Sequence, residues 1–195
     1  MAEPSVKRWT VADLDALPDD PAGWRIRYEI IDGELFVSRA PGDEHQYACT
    51  RFILNLGIWN DRTGLGEVLV GPGVIFSIND AVEPDVVWIS HERLARFEQA
   101  DRHLHGAPEL VIEVLSPGAA NLRRDLDRKL RLYSEQGVLE YWAADPRAQT
   151  VRVYRPGPDG ALALVATLGR EDTLTSPLLA GFAAPVAGLF RAARA

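Results

Sequence analysis

The stretch ELVIEVLSPGAANLRRDLDRKLRLYSEQGVLEYWAAD, residues 109–145, decides how this chain is read. ELVIEVL is an apolar, β-branched run of strand length, stopped by Ser-Pro-Gly. NLRRDLDRKLRLYSEQ has helical spacing and closes at Gly137. LEYWAAD is a second strand. A helix advances about 100° per residue, so with Leu122 at zero, Tyr133 lies near +20°, Leu126 near +40° and Leu130 near +80°. Lys129 falls near −20°, in the middle of that apolar arc, with Asp125 on its edge near −60°. Arg123, Arg124, Asp127, Arg128 and Arg131 fill the other, solvated side. The chain has 21 basic residues, and only Lys7 and Lys129 are lysines. Lysine is almost never buried unless paired. Lys129 either snorkels to water, pairs with Asp125 at i,i+4, or is required as a point charge or as a group able to lose a proton.

The strand before this helix carries a matching anomaly. Glu113 is the only charge within its apolar run. On a strand it shares a face with Val111 and Leu115, while Leu110, Ile112 and Val114 take the other. A carboxylate buried there must be paired, hydrogen-bonded or metal-bound. Upstream, EPDVVWIS (83–90) begins a buried strand at a proline, and Asp85 stands at its mouth. Asp85 could instead cap a turn, and Glu113 could pair with an arginine. If the two strands are adjacent, Asp85, Glu113 and Lys129 converge.

Working outward, WTVADLDALP is a short helix capped at Thr10, and RYEIIDGELFVS is a hairpin turning at Asp32-Gly33. HQYACTRFILNLGIWNDRTG is a helix closing on Gly64. GEVLVGPGVIFSI is one bent strand or two, and Ser90 caps the helix HERLARFEQ. TVRVYRP and ALALVATLG form a second hairpin, and a last short helix lies near VAGLFRAA. The expectation is one α/β domain over residues 1–195, with a helical extension over 1–20 and a core over about 25–190. Its architecture is a mixed β-sheet flanked by helices, with an N-terminal hairpin and a C-terminal hairpin extension.

Composition narrows the function. The chain has 195 residues, 47% of them apolar and 25% charged, which is ordinary for a globular protein. A net charge of −7 disfavours a uniformly basic nucleic-acid-coating protein, though a local basic groove is compatible with it. One cysteine, Cys49, excludes an internal disulfide. No apolar run is long enough to span a bilayer, and the N-terminus lacks a signal-peptide pattern, so the expected location is the cytoplasm. No GxGxxG or GxxxxGK[ST] follows a strand, and Ser116 lacks a nucleophile elbow. His103 and His105 read as a surface loop. Trp59, Trp88 and Trp142 read as core, and Trp24, beside Arg25 and Arg27, as packing.

Two carboxylates at the end of a sheet suit Mg²⁺ or Mn²⁺, which share their shell with water and substrate phosphate. Such a metal acidifies a bound water, and a nearby ammonium can orient it. The chemistry is phosphodiester hydrolysis.

EPD (83–85), ELVIEVLSP (109–117), RRDLDRKLRLYSEQGVLEYWAAD (123–145) and DTLTSPLL (172–179) together resemble the Uma-type restriction-endonuclease-like family, of the PD-(D/E)XK nuclease superfamily. The resemblance implies a restriction-endonuclease-like core and a metal-dependent nuclease site. Asp85 matches the PD aspartate, and Glu113 the second acid; both would bind the metal. Leu115 stands where the superfamily places lysine, and Lys129 resembles a replacement supplied from the following helix, beside the attacking water or scissile phosphate. Glu29, Glu34, His45 and Gln46 match segments near the family's site, with Glu29 and His45 in supporting roles beside Asp125. The function implied is a divalent-metal-dependent DNA endonuclease, with DNA as the substrate and no membrane partner. A homodimer would suit cutting both strands. The alternatives are an inactive nuclease-fold binding module and a hydrolase of small phosphate esters.

Overall fold

A computed structural model describes residues 7–18 and 26–191. Trp24 and Arg25, and the outer parts of the expected N-terminal extension, lie outside them. The described part of that extension is a single turn, α1 (Val11–Leu14), where the Asp13 carboxylate accepts from Thr10 N and Oγ1.

The N-terminal hairpin is β1 (Ile26–Ile31) and β2 (Glu34–Arg39). Its turn residues Asp32 and Gly33 both have positive φ, 55° and 75°, which suits the right-handed twist of a two-residue hairpin. A long helix, α2 (Asp43–Thr63), follows and ends on Gly64 at φ 61°. GEVLVGPGVIFSI becomes two strands, β3 (Gly66–Val70) and β4 (Val74–Ser77), which join different sheets. β5 (Asp80–Val82) pairs with both β4 and β1, and the first sheet runs β2-β1-β5-β4.

The main sheet adds β6 (Val86–Ser90), β7 (Leu110–Val114), β8 (Glu140–Asp145), β9 (Thr150–Pro156) and β10 (Leu162–Leu168), in the order β10-β9-β8-β7-β6-β3. Short α3 (His91–Phe97) links β6 toward β7. Among the described strand pairs only β7 and β8 run parallel, because the helical segment 119–136 carries the chain back over the sheet between them. A small ribbon, β11 (Thr173–Thr175) with β12 (Ala183–Pro185), and one 3₁₀ turn (Val186–Gly188) complete the described chain. The expected last helix is reduced to that turn.

Period-two alternation divides the core. Leu110, Ile112 and Val114 face Phe52, Leu56 and Trp59 of α2, with Trp88, Trp142 and Phe182 in the same layer. Val111 and Leu115 face Leu132, Tyr133 and Tyr141 on the opposite side, together with Ile31 and Val82 of the first sheet. Glu113 therefore projects into the second layer, between the two sheets and the crossover helix. No helix among the described residues is long and apolar enough to cross a membrane.

Candidate functional site

The crossover helix is not uniform. It is α-helical over α4 (Ala119–Arg123), π-helical over Arg124–Lys129, and α-helical again over α5 (Leu130–Gln136). The wider i→i+5 turn lowers the rotation to about 80° per residue. Leu122 then lies about 120° from Lys129 instead of about 20°. This is why Leu122 is 36% exposed while Asp125 and Lys129 are 1% and 0% exposed. The expected arc is thus corrected: Lys129 is its centre, Asp125 moves from edge to interior, and Leu122 leaves it. Arg124, assigned to the solvated face, turns inward with its side chain 11% exposed. Arg128 and Arg131 do face outward, reaching Glu34 and Asp32 of the first hairpin.

Lys129 neither snorkels nor pairs with Asp125. Its Nζ donates to Glu113 Oε1 at 2.8 Å and meets Glu29 Oε1 at 2.7 Å. Tyr133, one turn on, donates to the same Glu113 oxygen at 2.6 Å. Burial pushes the amine's pKa down, but Glu113, Glu29 and Asp125 outweigh it, so the ammonium is held above its ordinary range. Asp125 is instead bound by Arg124 Nε at 2.8 Å, and its backbone carbonyl accepts from Tyr141.

Asp85 stands just before β6, next to β7. Its Oδ1 accepts from Arg27 Nη1 at 3.0 Å, and its Oδ2 from Val114 N at 2.9 Å. His45 Nε2, from the first turn of α2, lies 3.1 Å from Oδ2. Burial favours the protonated acid, yet the His45 contact, the Arg27 charge and the Val114 amide together hold the carboxyl well below its usual range. Glu113 differs. Burial, assisted by the Asp85, Asp125 and Glu29 charges, pushes it up to about 7 against the pull of Lys129.

Glu29 completes the group from β1. Its Oε1 also accepts from Glu83 N at 2.9 Å, while its Oε2 is buried without a partner among the described residues. Burial raises its pKa, and Lys129 more than offsets that, so its carboxyl lies below the ordinary range. In this buried and half-buried group Arg27, Arg124 and Lys129 face Asp85, Glu113, Glu29, Asp125 and Glu83, with His45 beside Asp85.

Asp85, Glu113 and His45 open onto a cleft of about 340 Å³, with Arg27, Arg39 and Arg124 on its walls. Lys129 does not line it; it sits sealed behind Glu113. Both Glu113 hydrogen bonds fall on Oε1, and Oε2 takes none from the described residues. Asp85 and Glu113 are the two carboxylates that line this cleft. His45, Cys49 and Asp85 also bring one donor atom each within 4.8 Å of one another. Glu34 and Gln46 stand apart from the acids: Glu34 pairs with Arg128, and Gln46 borders a smaller hollow of about 120 Å³. His103 and His105 both lean on Asp101 in an exposed loop.

Sequence reasoning gave Arg39, Arg124 and Tyr133 no place in the site, and gave Arg27 only a packing context. For Arg27 the signal was present: it stands two residues before Glu29 on one strand, and so shares its face.

The fold defined by these layers is restriction-endonuclease-like. It resembles, with a TM-score of 0.70 and 17% identity, the crystal structure of a "putative nuclease belonging to DUF820" from Anabaena variabilis, over 93% of this chain and 97% of that one. A type IIG restriction endonuclease, BpuSI, is matched over 59% of this chain and 12% of its own, with 14% identity and a TM-score of 0.33. No curated protein sequence matches the chain. Residues 11–187 match the Uma2 family, described as "Putative restriction endonuclease", and the chain belongs to that family.

Proposed function

We propose that the protein is a divalent-metal-dependent nuclease that hydrolyses phosphodiester bonds in DNA. The observation that carries this reading is that Asp85 and Glu113 both line one arginine-walled cleft. Asp85 and Glu113 would hold Mg²⁺ or Mn²⁺, which when bound supplies an acidified water and neutralises charge on the attacked phosphate. Arg27, Arg39 and Arg124 attract the phosphodiester and orient its non-bridging oxygens. Lys129 keeps Glu113 fixed and biased toward its charged form, and Glu29 keeps Lys129 in register. Burial of this layer limits water to the cleft side of the acids.

Asp85→Asn and Glu113→Gln each test the assignment. Both variants are expected to stay folded by circular dichroism and to lose Mn²⁺-dependent cleavage of labelled DNA by at least about a hundredfold. Cleavage at the wild-type rate in either would remove that residue from the site.

A second reading is supported by the sealed position of Lys129: a nuclease-fold module that binds nucleic acid without cutting it. Calorimetry separates the two, since this module would bind DNA with no heat on addition of Mn²⁺.

A further inference from the structure

Helix α2 is apolar on two opposite sides, and its own fold covers one of them. With Leu56 at zero, Phe52, Trp59 and Cys49 lie within about 60°, and all are buried in the main core. Leu54, Ile58 and Tyr47 lie within about 20° of the opposite point. Leu54 is 47% exposed and Ile58 61%. Tyr47 is half-buried, with Cζ of Arg191 5.1 Å from its ring centre.

Two charges flank this outer stripe, about 40° to either side: Arg51 and Asp61. Arg51 donates from Nε to the Gly188 carbonyl at 2.8 Å. Asp61 is exposed and has no ion-pair partner among the described residues. The two stand about 15 Å apart along the helix, too far to pair within one chain. The order along the stripe is symmetric about residue 56. Leu54 and Ile58 stand two residues to either side, Arg51 and Asp61 five, and Tyr47 and Leu65 nine. Leu65 lies just past the Gly64 cap and is 52% exposed. Two copies of α2 packed antiparallel about a two-fold axis at residue 56 set Leu54 against Ile58 of the second copy, and Arg51 against its Asp61. A parallel pair would set Arg51 beside Arg51 instead.

We propose that the outer face of α2 is a homodimer interface, an antiparallel helix pair that seats a second copy of this chain. The occupant is argued from charge: a self-complementary stripe fits itself, and like charges would meet in any parallel pairing. One helix pair buries less than the roughly 1,200 Å² of a standard stable interface, so association is concentration-dependent. The cleft lies at the N-terminal end of α2, where Gly42 and His45 line it, so the inference stands apart from the nuclease reading.

Sedimentation equilibrium of the full chain between about 1 and 200 μM is expected to show a monomer–dimer equilibrium. Ile58→Glu should leave the melting temperature of dilute protein unchanged and weaken association at least about tenfold. Leu54→Glu covers a folding failure of that variant. Arg51→Glu and Asp61→Arg should each weaken association, and the double variant should recover to within about threefold of wild type, because only a second copy brings position 51 to position 61. Wild type monomeric throughout that range, association unchanged in a folded Ile58 or Leu54 variant, or a folded double variant no stronger than the single ones would overturn the proposal. None of these residues lines the cleft, so Mn²⁺-dependent cleavage is read separately.

Discussion

At the scale of single residues, the decisive fact is a lysine placed where water cannot reach it. Lys129 is completely buried, yet it touches two carboxylates, so its charge is matched at close range. Removing one member of such a group leaves its partners charged and dry. Lys129→Met is expected to destabilise the fold by about 3–5 kcal/mol, read from urea denaturation, well beyond a surface substitution. Glu113 carries a second expectation. A proton and a dication compete for its carboxylate, and its pKa is pushed up to about 7. Mn²⁺ affinity should therefore climb as pH rises from 5 to 7 and level off above, as calorimetry in matched buffers would show. A flat profile across that range would mean that Glu113 is not a ligand.

Among the elements, the π-helical turn and one glycine set the geometry. The π segment rotates α4 relative to α5, bringing Asp125 in with Lys129 and releasing Leu122. Deleting the exposed Asp127 would let that turn close as an α-helix while leaving residues 119–123 at nearly the same rotation, since the rotation lost in the π turn is about that of one α-helical residue. Such a variant should keep its helical content, and a thermal melt should show a smaller loss of stability than for Lys129→Met. Gly66, at the start of edge strand β3, is held by close approach: a Cβ there would lie 2.2 Å from the Ile89 carbonyl oxygen of β6. Gly66→Ala should cost at least about 1–3 kcal/mol, because the obstacle is backbone and cannot rotate aside. Its effect on thermal melting should exceed that of Gly57→Ala, where nothing lies within 4 Å.

On the scale of the whole molecule, an acidic protein presents a basic mouth. The net charge is −7, while the cleft walls carry Arg27, Arg39 and Arg124. Three phosphate contacts predict a salt slope of about −2 to −3, so affinity for DNA should fall roughly 20- to 40-fold between 50 and 200 mM salt. Substituting Arg39, which the structure gives no acidic partner in the cluster, should flatten that slope by nearly one unit.

Much of this was legible in the chain itself. Alternation in LVIEV assigned Glu113 its face, Asp32-Gly33 marked the hairpin, and Gly64 and Gly137 marked helix ends, because each depends on neighbours within a few residues. β5, β11 and β12 left no usable pattern, since three residues are too few to show a period. The helical period located Lys129 inward because burial follows angle. The same period misplaced Asp125, Arg124 and Leu122, because nothing local announces a π turn.

What the sequence alone determined, then, is which residues must be hidden: an acid on a two-sided strand and a lysine in an apolar arc. Only the tertiary structure decided who would meet them. Glu29 and Arg27 arrive from a separate sheet, His45 from the first turn of α2, and Asp85 from the neighbouring strand. Burial is written in local periodicity, whereas charge pairing is settled by which distant elements pack together, at distances of a few ångströms that no spacing in the chain encodes.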